Sequence, residues 1–79
     1  MHSEHTIHYI VDDEPQTTTE HSLTPTQILQ NAHIDPATNY MVEIEHHERE
    51  SFKDKPNEPI EMVNGMRFVS VYDGPTPVS

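Results

Sequence analysis

Histidine and carboxylate are the side chains present in sufficient number to hold a metal ion or move a proton. Seven histidines and fourteen carboxylates share the chain with four basic residues, and there is no cysteine. His2, His5 and His8 recur at every third position. If His5 and His8 share a strand, the period of two sends them to opposite faces. His46 and His47 are adjacent, with Glu48 beside them. Neither group offers two ligands on one face and a third at a defined spacing, which a structural zinc site needs. Adventitious nickel or copper binding is expected, and a dedicated metal site is not. The carboxylate runs, Asp12-Asp13-Glu14 and Glu43 with Glu45, read as solvated turn and strand charge. Disulfides, thiolate zinc sites and cysteine nucleophiles are excluded within this chain. No nucleophile elbow, phosphate loop, dinucleotide fingerprint or HExxH motif occurs. The sequence therefore points to no catalytic residue and no cofactor, and to a protein that is not an enzyme.

One residue keeps a chemical possibility of another kind. Gly74 follows the last apolar segment and precedes the remnant "PTPVS". A free C-terminal glycine is the unit that ATP-dependent activation uses. It enters a narrow channel, has no β-carbon to clash there, and adopts extended geometry freely. Gly74 becomes such a terminus if residues 75–79 are removed. The plainer alternative is that Asp73-Gly74-Pro75 is a turn before a frayed tail.

The elements that would carry this glycine are legible in outline. Ile7, Tyr9 and Val11 alternate through a strand over about 5–11, and residues 12–15 supply turn chemistry. "QTTTEHSL" reads as a β-branched second strand that completes a hairpin. In "SLTPTQILQNAHI", Thr24 is a helix N-cap, Pro25 occupies the first helical position and Gln27 completes a capping box. Leu23 staples against Ile28, and Pro36 limits the helix to about residues 25–33. "NYMVEIE" alternates cleanly, with Tyr40, Val42 and Ile44 expected inward and Met41, Glu43 and Glu45 outward. "HHERESFKDKPNEP" is polar and patternless apart from Phe52. Ile60 and Met62 lead to a turn at Asn64-Gly65 and a last strand over about 67–71, marked by Phe68. The order strand, strand, helix, strand, irregular segment, strand predicts an α+β fold of ubiquitin-like β-grasp type: a mixed sheet with one helix packed across it. The expected organisation is a flexible stretch over 1–4, a domain over 5–73, and the glycine with a removable tail over 74–79.

A formal charge of −10 is the largest compositional bias. Phosphate backbones and anionic membrane surfaces would repel such a domain, so neither nucleic acid nor membrane is an expected partner. A protein with a basic surface is the natural counterpart. No stretch approaches a membrane span, the start lacks a signal peptide's pattern, and a cytoplasmic location is expected.

Taken in order, "IHYIVDDEP", "LTPTQILQNAHID", "NYMVEI" and above all "EPIEMVNGMRFVSV" resemble the bacterial multiubiquitin-type family of ubiquitin-like proteins. The likeness covers about residues 5–74. It implies a protein modifier, encoded in bacterial operons, some of them antiphage, beside an activating enzyme, a conjugating enzyme and a JAMM-type zinc peptidase. The peptidase would trim the tail to expose Gly74. The activating enzyme would adenylate that glycine, with Tyr72 and Asp73 threaded toward it, and pass it through thioesters to lysines of target proteins. By the same analogy the sheet face opposite the helix meets the enzymes, through His8, Met41, Glu43 and Val69. Lys53 and Lys55 are the lysines on which chains could grow. This chain departs from ubiquitin in ending Val71-Tyr72-Asp73 with one glycine, without a basic approach. A non-covalent interaction module of the same fold, or a sulfur carrier, is the alternative.

Overall fold

A computed structural model describes residues 5–75. The expectations for residues 1–4 and for the tail beyond Pro75 lie outside the described residues. The chain runs β1 (Ile7–Val11), β2 (Glu14–Thr18), β3 (Ser22–Leu23), α1 (Pro25–Asn31), β4 (Asn39–Glu45), β5 (Glu48–Ser51), β6 (Ile60–Glu61) and β7 (Met66–Tyr72). Five strands form one sheet in the order β2-β1-β7-β4-β5, and β3 pairs with β6 in a separate short ladder. β1 and β7 are parallel, whereas the other neighbours in the large sheet are antiparallel. With its one helix this mixed sheet is an α+β, β-grasp-like fold, the class expected from the sequence.

Local chemistry explains the joints. Asp12 and Asp13 turn β1 into β2 with φ of 51 and 66, the positive pair that a type I′ loop requires. Aspartate tolerates that region better than most residues. The capping box forms: Gln27 N–H donates to Thr24 Oγ1 at 3.2 Å, and Thr24 N–H to Gln27 Oε1 at 2.9 Å. α1 ends two residues before the predicted His33, because His33 turns left-handed at φ 62. His33 N–H then donates to Gln30 O and Ile34 N–H to Leu29 O, which is the Schellman arrangement. Seven residues are too few for a helix to stand alone, so α1 depends on the burial of Ile28 and Leu29.

Two segments differ from expectation. "QTTTEHSL" is not one strand: β2 stops at Thr18, and Ser22-Leu23 crosses to pair with Ile60 and Glu61. The stretch after β4 is not irregular at its start. It forms β5, an edge strand with all four residues exposed, which therefore carries no hydrophobic alternation to read.

The core is built by Ile7, Tyr9, Val11, Leu23, Ile28, Leu29, Met41, Phe52, Ile60, Met62 and Phe68. Tyr9 and Phe68 meet edge to face, with ring centroids 6.1 Å apart. The inward–outward phase of β4 is the reverse of that expected. Met41 is fully buried, and Glu43 lies opposite Phe68 on the helix side of the sheet. Tyr40, Val42 and Ile44 line the other face, where Tyr40 opposes Val71 and Val42 opposes Val69. The strand is apolar at consecutive positions, so its own pattern fits either phase. Cross-strand partners on β7 decide, and a one-residue shift exchanges every side chain between faces.

Met41→Ala therefore lowers unfolding free energy by about 2–5 kcal/mol, the usual range for truncating a buried methionine. Denaturant titration checks it, with Ile44→Ala as the milder comparison. The Tyr9 hydroxyl is buried without an acceptor in hydrogen-bonding geometry. Burial pushes its phenol up, and Asn31 at the end of α1 offsets only part of that. Tyr9→Phe removes the unsatisfied hydroxyl and should raise stability by about 1 kcal/mol, measurable in the same titration.

Candidate functional site

The surface best placed to act is the sheet face away from α1, and the register constructs it row by row. One row runs Pro15, Ile10, Arg67, Ile44, Arg49 across all five strands. The next holds Val69, Val42 and Ser51, and beyond it Val71 faces Tyr40. Ile10, Tyr40, Ile44, Val69 and Val71 are half-buried, and among the described residues no further layer covers them. Lys53 extends the charge of this face, its ammonium 5.6 Å from the centroid of the Tyr40 ring. Three of the chain's four basic residues thus border one apolar face. Arg67 also reaches Asp13 at 3.8 Å, but both groups are largely exposed and the pair contributes little.

Of the residues expected on this face, His8 and Val69 lie on it. Met41 and Glu43 do not, because the phase of β4 turns them toward the helix. Ile10, Ile44, Val71 and the arginines are the members that sequence reasoning missed. Their signal was the second apolar face of β4, which only the pairing with β7 makes meaningful.

Four glutamates stack on the opposite side. Glu43 faces Glu50, and Glu45 faces Glu48, across the β4–β5 ladder. Burial pushes the Glu43 carboxyl above its ordinary range, and the charges of Glu45 and Glu50 push it the same way. His46 and His47 form the loop joining these strands. Among the described residues no group of three or more histidines and carboxylates is placed to hold a metal ion.

Gly74 is half-buried beside the end of β7. Asp73 N–H donates to Thr38 O, and the Asp73 carboxylate meets Lys53 Nζ at 3.4 Å. Tyr72 is mostly exposed and donates its hydroxyl proton to Pro75 O. Both residues expected to thread toward an enzyme are therefore engaged with the domain. Lys53 and Lys55 lie in the exposed segment between β5 and β6. A cleft of about 190 Å³ opens near this point, with Leu29, Tyr40, Phe52, Lys53 and Asp73 among its walls.

No protein-family model matches the chain, and no curated protein or solved structure is significantly similar to it. Among the described residues no helix is long and apolar enough to cross a membrane.

The stacked glutamates generate a pH dependence with a definite sign. A carboxyl raised in the folded state favours folding when protonated, and that contribution is lost as pH rises through its folded value. At pH 7 Glu43→Gln should therefore stabilise the domain by about 0.2–1 kcal/mol, the scale of a like-charge cross-strand pair. The gain should shrink as pH falls through the raised folded value and be gone below about 4, where the glutamate is protonated in both states. Thermal unfolding of both proteins at pH 7 and pH 3.5 checks it.

Proposed function

We propose that this chain is a ubiquitin-like protein modifier that becomes joined through Gly74 to lysines of other proteins. The observation that carries this reading is the course of β7. It runs through the middle of the sheet between β1 and β4 and delivers the chain to a lone glycine just past its end. Cleavage of the Gly74-Pro75 bond would give a carboxylate for an activating enzyme to convert to an acyl adenylate. Transfer to a thiol, and then to an amine, would complete an amide bond with no catalytic group on the modifier itself. The resemblance to the bacterial multiubiquitin-type family supports a JAMM-type peptidase, an activating enzyme and a conjugating enzyme as partners, in cytoplasmic antiphage defence.

The open sheet face fits the docking role. Its apolar rows bordered by Arg49, Arg67 and Lys53 suit a partner that presents apolar side chains among carboxylates. That reverses, for this face, the basic counterpart expected from net charge.

A second reading is favoured by one observation. A β-carbon at Gly74 would sit 2.7 Å from the Tyr72 hydroxyl oxygen, so the position of that phenol gives a local packing reason for glycine there. The chain would then be a non-covalent interaction module that uses the same face. A sulfur carrier would share the need for an exposed glycine carboxylate.

The test is mass spectrometry of tryptic peptides from the native host. Arg67 is the last basic residue before Gly74, so conjugated lysines should carry the remnant of residues 68–74. Gly74→Ala should abolish those adducts while leaving the domain folded. Co-purifying proteins without any such remnant would overturn the modifier reading in favour of the module.

A further inference from the structure

The segment after β7 does not leave the domain directly. Asp73 N–H extends the β4–β7 ladder by one bond, donating to Thr38 O at 2.6 Å. The chain then folds so that the Tyr72 hydroxyl donates to Pro75 O at 2.9 Å and closes over Gly74. A β-carbon on Gly74 would stand 2.8 Å from Tyr72 Cζ and 3.1 Å from Thr38 Cβ, so an added methyl would push the exposed phenol aside and disfavour the closed form. The Asp73 carboxylate lies 3.4 Å from Lys53 Nζ, and the same ammonium lies over the Tyr40 ring.

We propose that Tyr72, Asp73 and Lys53 form a latch that holds the Gly74-Pro75 peptide against the start of β4, and that this bond opens to another protein only when the latch releases. Each tie is solvent-exposed: the side chains of the ion pair are 53% and 51% accessible. Exposed pairs of this kind are individually weak and are screened by salt. The latch is therefore a regulator that opens readily, not a permanent seal. An enzyme that reads an extended segment must draw Gly74 out from beneath the phenol ring before it can act. This deepens the modifier reading by regulating the same segment, but the latch itself does not require that reading.

The experiment uses the full chain labelled with nitrogen-15. With two glycines in the sequence, Gly74 is readily distinguished from Gly65. In the wild type the heteronuclear NOE of the Gly74 amide should match that of the strands. In a Tyr72→Phe, Lys53→Gln double variant it should fall to the value in a synthetic peptide of residues 70–79. Chymotrypsin accepts tyrosine and phenylalanine alike, so its cleavage after position 72 supplies a second readout. Cleavage should be roughly two- to tenfold faster in the double variant, the effect of losing one exposed hydrogen bond and one exposed ion pair. Gly74→Ala should accelerate it too, as should 1 M sodium chloride for the wild type, with little change in thermal midpoint. A wild-type Gly74 as mobile as the peptide, or a double variant unchanged in both readouts, would overturn the latch. Absence of conjugates from the host, with Gly74 rigid, would sink the modifier reading and leave the latch standing. Conjugates from a protein whose Gly74 is mobile would do the reverse.

Discussion

The short parallel ladder between β1 and β7 holds the two halves of the sheet together. Only Tyr9, Ile10 and Val11 pair in register with Met66, Arg67 and Phe68. Side chains lengthen it at both ends. Asn64 Oδ1 accepts the His8 N–H at 2.8 Å, while Gly65 N–H donates to His8 O. At the far end the Asp12 carboxylate accepts both Ser70 N–H, at 2.7 Å, and Ser70 Oγ–H, at 2.5 Å. Hydrogen bonds to a charged acceptor are worth about 1.5–3 kcal/mol each, so Asp12 is a considerable part of the seam. Break the seam and the β1–β2 hairpin separates from the three strands β7, β4 and β5. The edge-to-face contact of Tyr9 with Phe68 crosses the same line.

What could be read from the sequence divides according to the range of the forces involved. The α1 start was legible because Thr24, Pro25 and Gln27 satisfy one another within one turn. The Asn64-Gly65 turn was legible for the same reason, although the pairing of Asn64 with His8 was not. Asp12 and Asp13 were read as turn residues, and the reach of Asp12 across to Ser70 left no local trace. The end of α1 was misplaced by two residues because the left-handed residue is a histidine, where glycine would have announced it. β4 was found but inverted, since Tyr40-Met41-Val42 offers apolar side chains to both faces. β5 was missed because an exposed edge strand has no apolar stripe to display.

The candidate face followed the same rule. His8 and Val69 lie on the side of the sheet away from the helix, as expected for those two residues. The rest of its composition was not anticipated, because the membership of Ile10, Ile44 and both arginines is a property of register. Net charge was also a poor guide to local charge. A chain at −10 keeps three of its four cations around one apolar surface, with Glu43, Glu45, Glu48 and Glu50 on the reverse. Asp73 and Asp13 lie beside Lys53 and Arg67, so the two sides differ in the degree of their acidity and not in the sign of their charge.

The two outer strands of the large sheet have a consequence for how such molecules can associate. Open sheet margins invite further strands and, through them, fibrils. Here β2 places Pro15 in its ladder, removing a backbone donor, and β5 reads Glu-Arg-Glu-Ser with every residue in water. Proline and alternating charge are both deterrents to edgewise growth. Crowded copies of this chain therefore have little means of zipping into a continuous ribbon. Its sociability is confined to the broad surface between those margins, where contact can be made and undone without recruiting a third molecule.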